Sequence, residues 1–334
     1  MTRPSAAPLA AGGLLALAVL GPLVAPYDPA AILDAPALRL LPPGSRVPAL
    51  VTLGGERLPV SGTGVGGRRV SEWHVEGASV VYTRGLRLAR VPLEALAKDA
   101  LGRPRIVSLR FPLGTDLAGR DLLSRLLAGA RLSLLVGVGG ALVAASLGGF
   151  LGLAAATGRR LGGAVIGRVG DALLALPRIL LVAALAALFR PGAGGLVALL
   201  GLTGWPAFCR LVRADMTVLA RSDLAASARA AGCSRASVAF RHLLPHALST
   251  LLVATGLRAG SFVLLEASLS FLGFGIAPPR ASWGNILAEG RDVLFEAWWV
   301  TLWPGALLAG SVVALNLLAD HLRRRGEAGW PARD

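Results

Sequence analysis

Charged residues are scarce in this chain of 334 residues. They make up 16% of the sequence, against about a quarter in soluble globular domains, whereas hydrophobic residues make up 54%. Aromatic residues amount to only 5%, so the net charge of +15 comes without the side chains that stack on bases, and it does not indicate nucleic-acid binding. We therefore interpret the chain as a polytopic membrane protein surrounded by lipid.

Lysine, cysteine and histidine are also rare, and each shortage excludes a function. Lys98 is the single lysine and lies in Leu-Ala-Lys-Asp, so the GK[ST] sequence of a phosphate-binding P-loop is missing. Cys209 and Cys233 do not form a CxxC pair, and the four histidines are scattered. The sequence predicts no enzyme, no bound cofactor and no metal site, and any ATP that drives the protein must bind to another subunit.

Apolar runs dominate what remains. A helix of about 20 residues crosses the hydrocarbon core of a membrane, and six runs have a comparable length. The first is expected to be a retained anchor, because it is long for a signal peptide and Ala-Pro-Tyr-Asp is a poor cleavage site. Residues 121–131 are expected to form a separate amphipathic helix in the interface. The predicted spans are 6–25, 132–156, 164–189, 195–212, 247–274 and 298–318.

Residues 27–110, which we call the insert, have a different composition. Prolines, Gly-Gly pairs and short β-branched pieces such as 80–83 predict a β-rich extramembrane segment. The expected fold is therefore all-α in the membrane, with a β-rich insert between the first two spans. The predicted division is an N-terminal transmembrane helix at 1–26, the insert, a five-helix core at 111–322 and a tail at 323–334.

Arginines between the spans predict the orientation. Basic loops carrying Arg159 and Arg160, then 210–241 and 323–325, alternate with loops at 191–194 and 276–295 that have fewer basic residues. Because basic loops stay in the cytoplasm, both termini are expected there and the insert outside, in the cytoplasmic (inner) membrane.

Residues 221–246, which we call the coupling loop, interrupt two apolar runs with charge. Asp223 is expected to cap a short Ala-rich helix, Gly232 to end it in a left-handed turn, and Ser234 to cap a second short helix that runs toward Pro245. The small side chains of the first helix would let a partner protein approach its backbone. A solvated basic loop is the alternative.

This segment resembles the signature loop of ABC importer permeases of the dipeptide, oligopeptide and nickel family, through which separate ATPases drive transport. Leu224 and Ala225 replace the usual Tyr-Val, and His246 stands where Asn is commonest. The resemblance implies a role in ATPase coupling for the positions in register: Asp223, Ala228, Arg229, Ala230, Gly232, Ser234, Arg241, His242, Leu244 and Pro245.

Other motifs extend the resemblance over residues 111–325, whereas the insert matches none. They are Phe-Pro-Leu-Gly-Thr-Asp at 111–116 with Gly-Arg-Asp at 119–121, Leu-Ala-Leu-Pro at 174–177, and Glu-Ala-Ser-Leu-Ser-Phe-Leu-Gly-Phe-Gly at 266–275. The resemblance implies a six-helix permease fold that works with a second homologous permease, two subunits that bind ATP and Mg²⁺, and an extracytoplasmic solute-binding protein. The implied cargo is a peptide or, alternatively, a nickel chelate.

Ionisable residues inside the apolar runs are candidates for a functional site, since a charge in the membrane is costly. Glu266, with Ser268 and Ser270, is a candidate for the translocation path. A structural hydrogen bond to a neighbouring helix is an equal alternative. Asp171 and Arg178 are seven residues apart on one predicted helical face, with Pro177 able to kink it. Arg258 is interpreted as a snorkelling or interface residue.

Two other classes of protein remain as alternatives. A self-contained channel or ion-coupled carrier would show midplane ionisable residues on several spans and inverted repeats, neither of which is evident. A membrane-anchored receptor would need fewer than six spans, although the insert could still bind a ligand or the solute-binding protein.

Overall fold

The computed structural model describes residues 6–63, 69–158, 160–234 and 237–328. Most of them are helical. Four helices are long and apolar enough to cross a membrane, and a pair of shorter helices forms a fifth span if the two are counted together. The four are Leu122–Thr157, Ala193–Leu219, Val238–Phe271 and Trp299–Arg324.

The first helix, α1 (Ala6–Leu20), has 15 residues and continues into a 3₁₀ turn at Gly21–Leu23. It is apolar but shorter than the other four. A second helix, α2 (Ala35–Leu38), lies in the insert and is capped by Asp34, whose side chain accepts a hydrogen bond from the Ala37 amide.

The third helix, α3 (Leu122–Thr157), is a continuous helix of 36 residues. The prediction of a separate interfacial helix at 121–131 is therefore wrong. Asp121 caps the N-terminus by accepting a hydrogen bond from the Ser124 amide. Leu122 and Leu126 lie in the protein core, 0% and 2% exposed, so this part of the leucine stripe packs against other helices.

The predicted span at 164–189 is broken into α4 (Arg160–Ala175) and α5 (Arg178–Phe189). The two axes meet at 89°. Pro177 lies at the break, where it cannot donate an amide to the preceding turn and disfavours a helical conformation in Leu176. The sequence predicted a kink at Pro177 but not an angle as large as 89°.

The helix α6 (Ala193–Leu219) leads into the coupling loop, whose first part is α7 (Asp223–Ala230). A π-helical turn at Val238–Leu243 then runs straight into α8 (Leu244–Phe271). The predicted second short helix is therefore wrong as an isolated element. Pro245 does not end it, because proline is tolerated in the first turn of α8.

Two more helices, α9 (Trp283–Arg291) and α10 (Trp299–Ala328), complete the helical region. α3 packs against α6 and α8, α10 packs against α8, and α1 packs against α3 and α10. Glycine permits close approach: a Cβ atom on Gly137 of α3 would lie 2.4 Å from Val263 Cγ2 of α8.

The described part of the insert consists mainly of strands. A three-stranded antiparallel sheet has the order β2-β1-β8, and a second sheet has β4-β3-β6-β5 with β7 paired to β6. Among the described strands, only β3 and β6 run parallel to each other. The strands are β1 (Ser45–Val51), β2 (Arg57–Pro59), β3 (Ser61–Thr63), β4 (Arg69–Val70), β5 (Trp73–Glu76), β6 (Ser79–Gly85), β7 (Arg87–Pro92) and β8 (Ile106–Phe111).

The two ends of the insert are held together. The Tyr27 ring stacks on Phe111, with centroids 5.4 Å apart. The Tyr27 hydroxyl accepts a hydrogen bond from the Arg110 amide at 3.0 Å and donates to the Arg110 carbonyl at 3.2 Å. The chain therefore leaves and re-enters the helical region at nearly the same place.

Parts of several predictions fall on residues outside the described ranges, including 1–5 of the predicted N-terminal helix, 64–68 of the insert and 235–236 of the coupling loop. Arg159, one of the basic residues used for orientation, is among them, and so are residues 329–334 at the end of the predicted tail.

Candidate functional site

The start of α7 differs from the sequence-based prediction. Ser222, not Asp223, occupies the N-cap position, and its side chain makes no capping hydrogen bond. Asp223 is the first residue within the helix. Its carboxylate still lies in the first turn, where negative charge is stabilised by the helix dipole.

The end of α7 has the geometry that the glycine predicts. Gly232 has φ of +81°, in the left-handed region. Its amide donates to the Arg229 carbonyl at 3.0 Å, and the Cys233 amide donates to the Ala228 carbonyl at 3.1 Å. This pair of bonds is the Schellman motif, which closes a helix and fixes the direction of the chain that follows.

One face of α7 is anchored to the protein and the other is exposed. Ala225 is 0% exposed and belongs to the main apolar core. Arg229 Nη1 donates to the Ala220 carbonyl at 3.1 Å, which ties α7 to the end of α6. Three of the six exposed residues, Ala226, Ser227 and Ala230, are small, and the other three are Asp223, Leu224 and Arg229.

The second half of the predicted coupling residues belongs to a helix and not to a loop. Ser234 Oγ accepts a hydrogen bond from the Ser237 amide at 3.2 Å, as expected of a cap. Arg241 and Pro245 are exposed and four residues apart, so they lie on one side of the helix, whereas His242 and Leu244 are partly buried. The structure thus joins Arg241, His242, Leu244 and Pro245 to α8 without an intervening break.

The three candidate residues for the translocation path do not share a surface. Glu266 is 0% exposed, and its Oε1 accepts a hydrogen bond from Ser270 Oγ at 2.7 Å. Ser268 Oγ instead donates to the Leu264 carbonyl within α8. Ser133 of α3 and Ser282 at the start of α9 lie beside the Glu266 carboxyl. This geometry favours the structural alternative for Glu266, a polar tie among three helices.

A buried charge network was missed at the sequence level. Arg125 of α3 is 1% exposed and binds Asp116 and Glu289, the latter through Nη1 at 2.5 Å and Nη2 at 2.9 Å. Arg120 Nε also binds Asp116, at 2.7 Å. Two positive and two negative side chains thus balance at the junction of the 111–121 motif, α3 and α9. The available signal was Arg125 itself, a charge within an apolar run.

Asp121 lies next to this network. Its pKa is raised, mainly because burial disfavours the charged carboxylate, although hydrogen bonds from Ser124 act in the opposite direction. Beside the network there is therefore a poorly solvated carboxyl, which is held by its hydrogen bonds from Ser124 at the start of α3.

Asp171 and Arg178 do not face each other, because the break at Pro177 separates them. Asp171 pairs with Arg210 of α6 at 2.5 Å, and both side chains are 63% exposed. Arg178 extends the other way, over the ring of Phe262 in α8. Among the described residues there is no group of three or more His, Cys, Asp or Glu side chains that could hold a metal ion.

A family model described as "Binding-protein-dependent transport system inner membrane component" matches residues 148–327. The match begins inside α3 and includes the coupling loop and α8. It leaves out the insert and, of the charge network, Asp116, Arg120 and Arg125, but it includes Glu289.

Individual relatives give a consistent result. A protein from Brucella suis biovar 1 with the name of a peptide transport system permease is 41% identical over 231 residues, which are 66% of this chain and 78% of that protein. The di/tripeptide transport system permease protein DppC of Pseudomonas aeruginosa is 41% identical over 214 residues, 64% of this chain and 71% of that protein. A chain of the inward-facing MetNI methionine ABC transporter is similar with a TM-score of 0.48 and 18% identity, over 61% of this chain and 95% of that chain.

Proposed function

The chain belongs to the family of binding-protein-dependent transport system inner membrane components, and on this premise we propose that it is the permease subunit of an ABC importer that moves peptides across the cytoplasmic membrane. The observation that carries the proposal is the family match over residues 148–327, which contains the whole coupling loop. Peptide is favoured as the cargo because relatives at 41% identity carry the names of peptide permeases. Nickel-chelate import by the same architecture is the second candidate.

Energy would come from other subunits. The chain has no GK[ST] sequence, so the ATP and Mg²⁺ of the transport cycle would bind to two separate ATP-binding subunits. A second homologous permease would complete the membrane unit, and an extracytoplasmic binding protein would deliver the solute. A self-contained channel or carrier is disfavoured, because family membership implies a transport system with a binding protein.

The proposed orientation places both termini and the coupling loop in the cytoplasm and the insert outside. Six crossings result if α1 with its 3₁₀ extension is one span and the bent pair α4 and α5 is another. The arrangement is supported by the basic residues at 210–241 and 323–325.

The coupling loop would act as a lever. The exposed small residues of α7 allow the groove of an ATPase subunit to approach the helix backbone closely. Arg229 ties α7 to the end of α6, and the π-helical turn continues into α8 without a break. A displacement of α7 would therefore move α6 and α8 together, and a different contact with the open and closed ATPase pair would shift the equilibrium between inward and outward openings.

The lever is tested by replacing Gly232 with valine. A β-branched residue at a φ of +81° cannot maintain the left-handed turn, so α7 would lose its fixed direction. In proteoliposomes with all partner subunits, we expect ATP hydrolysis to continue while uptake of a tripeptide falls at least about tenfold. This loss corresponds to an increase of about 1.4 kcal/mol in the free-energy barrier to transport.

Gly102→Val is the matched control. Gly102 also has a positive φ, of +76°, and open space around its Cβ position, but it lies in the insert. It should alter uptake by less than about twofold. Normal uptake by the Gly232→Val transporter would refute the lever.

A further inference from the structure

Two arginines lie along the contact between α6 and α8. The guanidinium of Arg178, at the start of α5, lies 3.9 Å from the ring centroid of Phe262. The guanidinium of Arg258 lies 5.6 Å from the ring centroid of Phe208. On α8, Phe262 lies one helical turn after Arg258. On α6, Phe208 lies one turn after Gly204, which is next to the Arg178 guanidinium. The two cations are thus neighbours along one seam.

A gap in the packing makes room for Arg178. A Cβ atom on Gly204 would lie 2.8 Å from Arg178 Nη2 and 2.6 Å from Phe262 Cζ, so the guanidinium fits only because residue 204 is glycine. Arg178 Nη2 donates to the Leu200 carbonyl at 3.3 Å, and the buried Nε has no hydrogen-bond partner. The side chain is positioned, yet its donors are not all used.

Neither charge is neutralised within the described residues. No carboxylate there lies within salt-bridge distance of Arg178 or Arg258, and the two positive charges act on each other. This differs from the network at Arg125, where two arginines face two carboxylates. Two positive charges without a carboxylate partner among the described residues, side by side at the contact between α6 and α8, stabilise an anion that binds between them.

The position of the pair along the helices indicates what kind of anion it could meet. Arg258 is 14 residues from the start of α8 and 13 from its end, about 20 Å from either at 1.5 Å per residue. Lipid phosphates lie at the membrane surfaces, far from this level. Arg258 is exposed on the surface of the chain, so a solute moving past it can reach it. The break before α5 also leaves amides at its start without a side-chain cap, which adds positive character.

We propose that Arg178 and Arg258 form a carboxylate-binding site within the translocation path, which takes the acidic group of a peptide in transit. The inference rests on the proposed function and specifies its substrate class: peptides with a free carboxylate, at the C-terminus or on a side chain. The aromatic rings hold the guanidinium groups in place, and the solute supplies the missing negative charge. Release follows because the site is open on one side.

The test uses the complete transporter in proteoliposomes with three probes. Trialanine has a C-terminal carboxylate, trialanine amide has none, and Ala-Glu-Ala amide has one on its side chain only. The variants are Arg178→Gln, Arg258→Gln and the pair together, with Arg190→Gln as a control at the exposed end of α5. Because the binding protein is the same in every arm, the ratio of variant to wild-type uptake for each probe cancels its own preference.

We expect the double variant to lower uptake of trialanine at least about tenfold, with less than a twofold change for trialanine amide. A matching loss for Ala-Glu-Ala amide would assign the site to carboxylates in general, and no loss would restrict it to the C-terminus. Equal losses for all three probes, or none, would overturn the proposal, since a neighbouring permease or simple packing would then account for the arginines.

Two further variants guard against misfolding. Arg258→Lys keeps the charge and should retain most of the preference for the carboxylate. Gly204→Ala leaves both arginines in the sequence but displaces the Arg178 guanidinium, and it should lower the same ratio. A wild-type transporter that imports none of the probes would refute the proposed function, whereas one that imports all three without any change of ratio in the variants refutes only the carboxylate site.

Discussion

The helical region and the insert are stabilised in opposite ways. In the helical region, glycines let α3, α6 and α8 approach closely, and the charges around Arg125 are buried and balanced by carboxylates. In the insert, strand pairing supplies the order, two small apolar clusters form the core, and the pair of Arg90 with Glu76 is exposed, although Asp34, which pairs with Arg84, is buried. The contribution of an ion pair to the stability of this molecule therefore depends on its access to water. Breaking a buried pair is expected to destabilise the fold strongly, whereas breaking an exposed pair is expected to change its stability very little.

The sharpest way to break the comparison is Arg125→Met. The substitution leaves Asp116, which is 0% exposed, and Glu289 with one arginine between them. Removing one partner of a buried pair costs about 3–5 kcal/mol, so we expect a marked loss of folded protein in thermal unfolding in detergent. Arg131→Met, on an exposed position of the same helix, is the control, and equal losses in both would contradict a structural role for the network.

An intermediate effect is expected from Gly137→Ala. The added methyl group would lie 2.4 Å from Val263 Cγ2 and 2.6 Å from its Cα, so α3 and α8 must move apart. Such overpacking costs about 1–3 kcal/mol. The measurement is the midpoint of unfolding in detergent. Gly162→Ala, in α4 with nothing within 4 Å of the new atom, should leave the midpoint unchanged or raise it slightly.

The smallest effect is expected from Arg90→Ala in the insert. Its bond to Glu76 is 3.0 Å long, but the two side chains are 70% and 58% exposed. Exposed pairs contribute less than about 1 kcal/mol, and screening by salt reduces even that. Hydrogen exchange of the backbone amides in β6 and β7, which reports the opening of the insert, should be nearly the same in the variant and the wild type. A loss as large as that of Arg125→Met would erase the distinction between the two regions.

Local signals explain which features the sequence could predict. Hydropathy located the long helices, and the glycine at 232 predicted a left-handed helix end, because both depend on residues close in sequence. The 36-residue length of α3 was missed, since whether the leucine stripe at 122–127 meets lipid or protein depends on helices far along the chain. The same limit applies to Arg125 and Glu289, which are 164 residues apart. Strand register in the insert, including the parallel pair β3 and β6, also depends on distant partners.

The candidate site also has some features that depend on nearby residues, which the sequence predicted, and others that depend on distant residues, which it did not. The end of α7 follows from local turn chemistry, whereas the continuation of the π-helical turn into α8 does not, because Pro245 reads as a stop signal when its context is unknown. For Glu266, the apolar sequence around it indicated a buried polar contact but could not name Ser133 or Ser282 as its neighbours.

The contact between Tyr27 and Arg110 makes the 82 residues between them a closed loop that begins and ends at one place. Residues 34–41 are part of the attachment, because the Leu41 amide donates to Thr115 Oγ1, which in turn donates to the Leu38 carbonyl. A shorter connection or a reporter domain should therefore replace the strands β2–β7 with least disturbance to the helices, provided that residues 34–41 are kept.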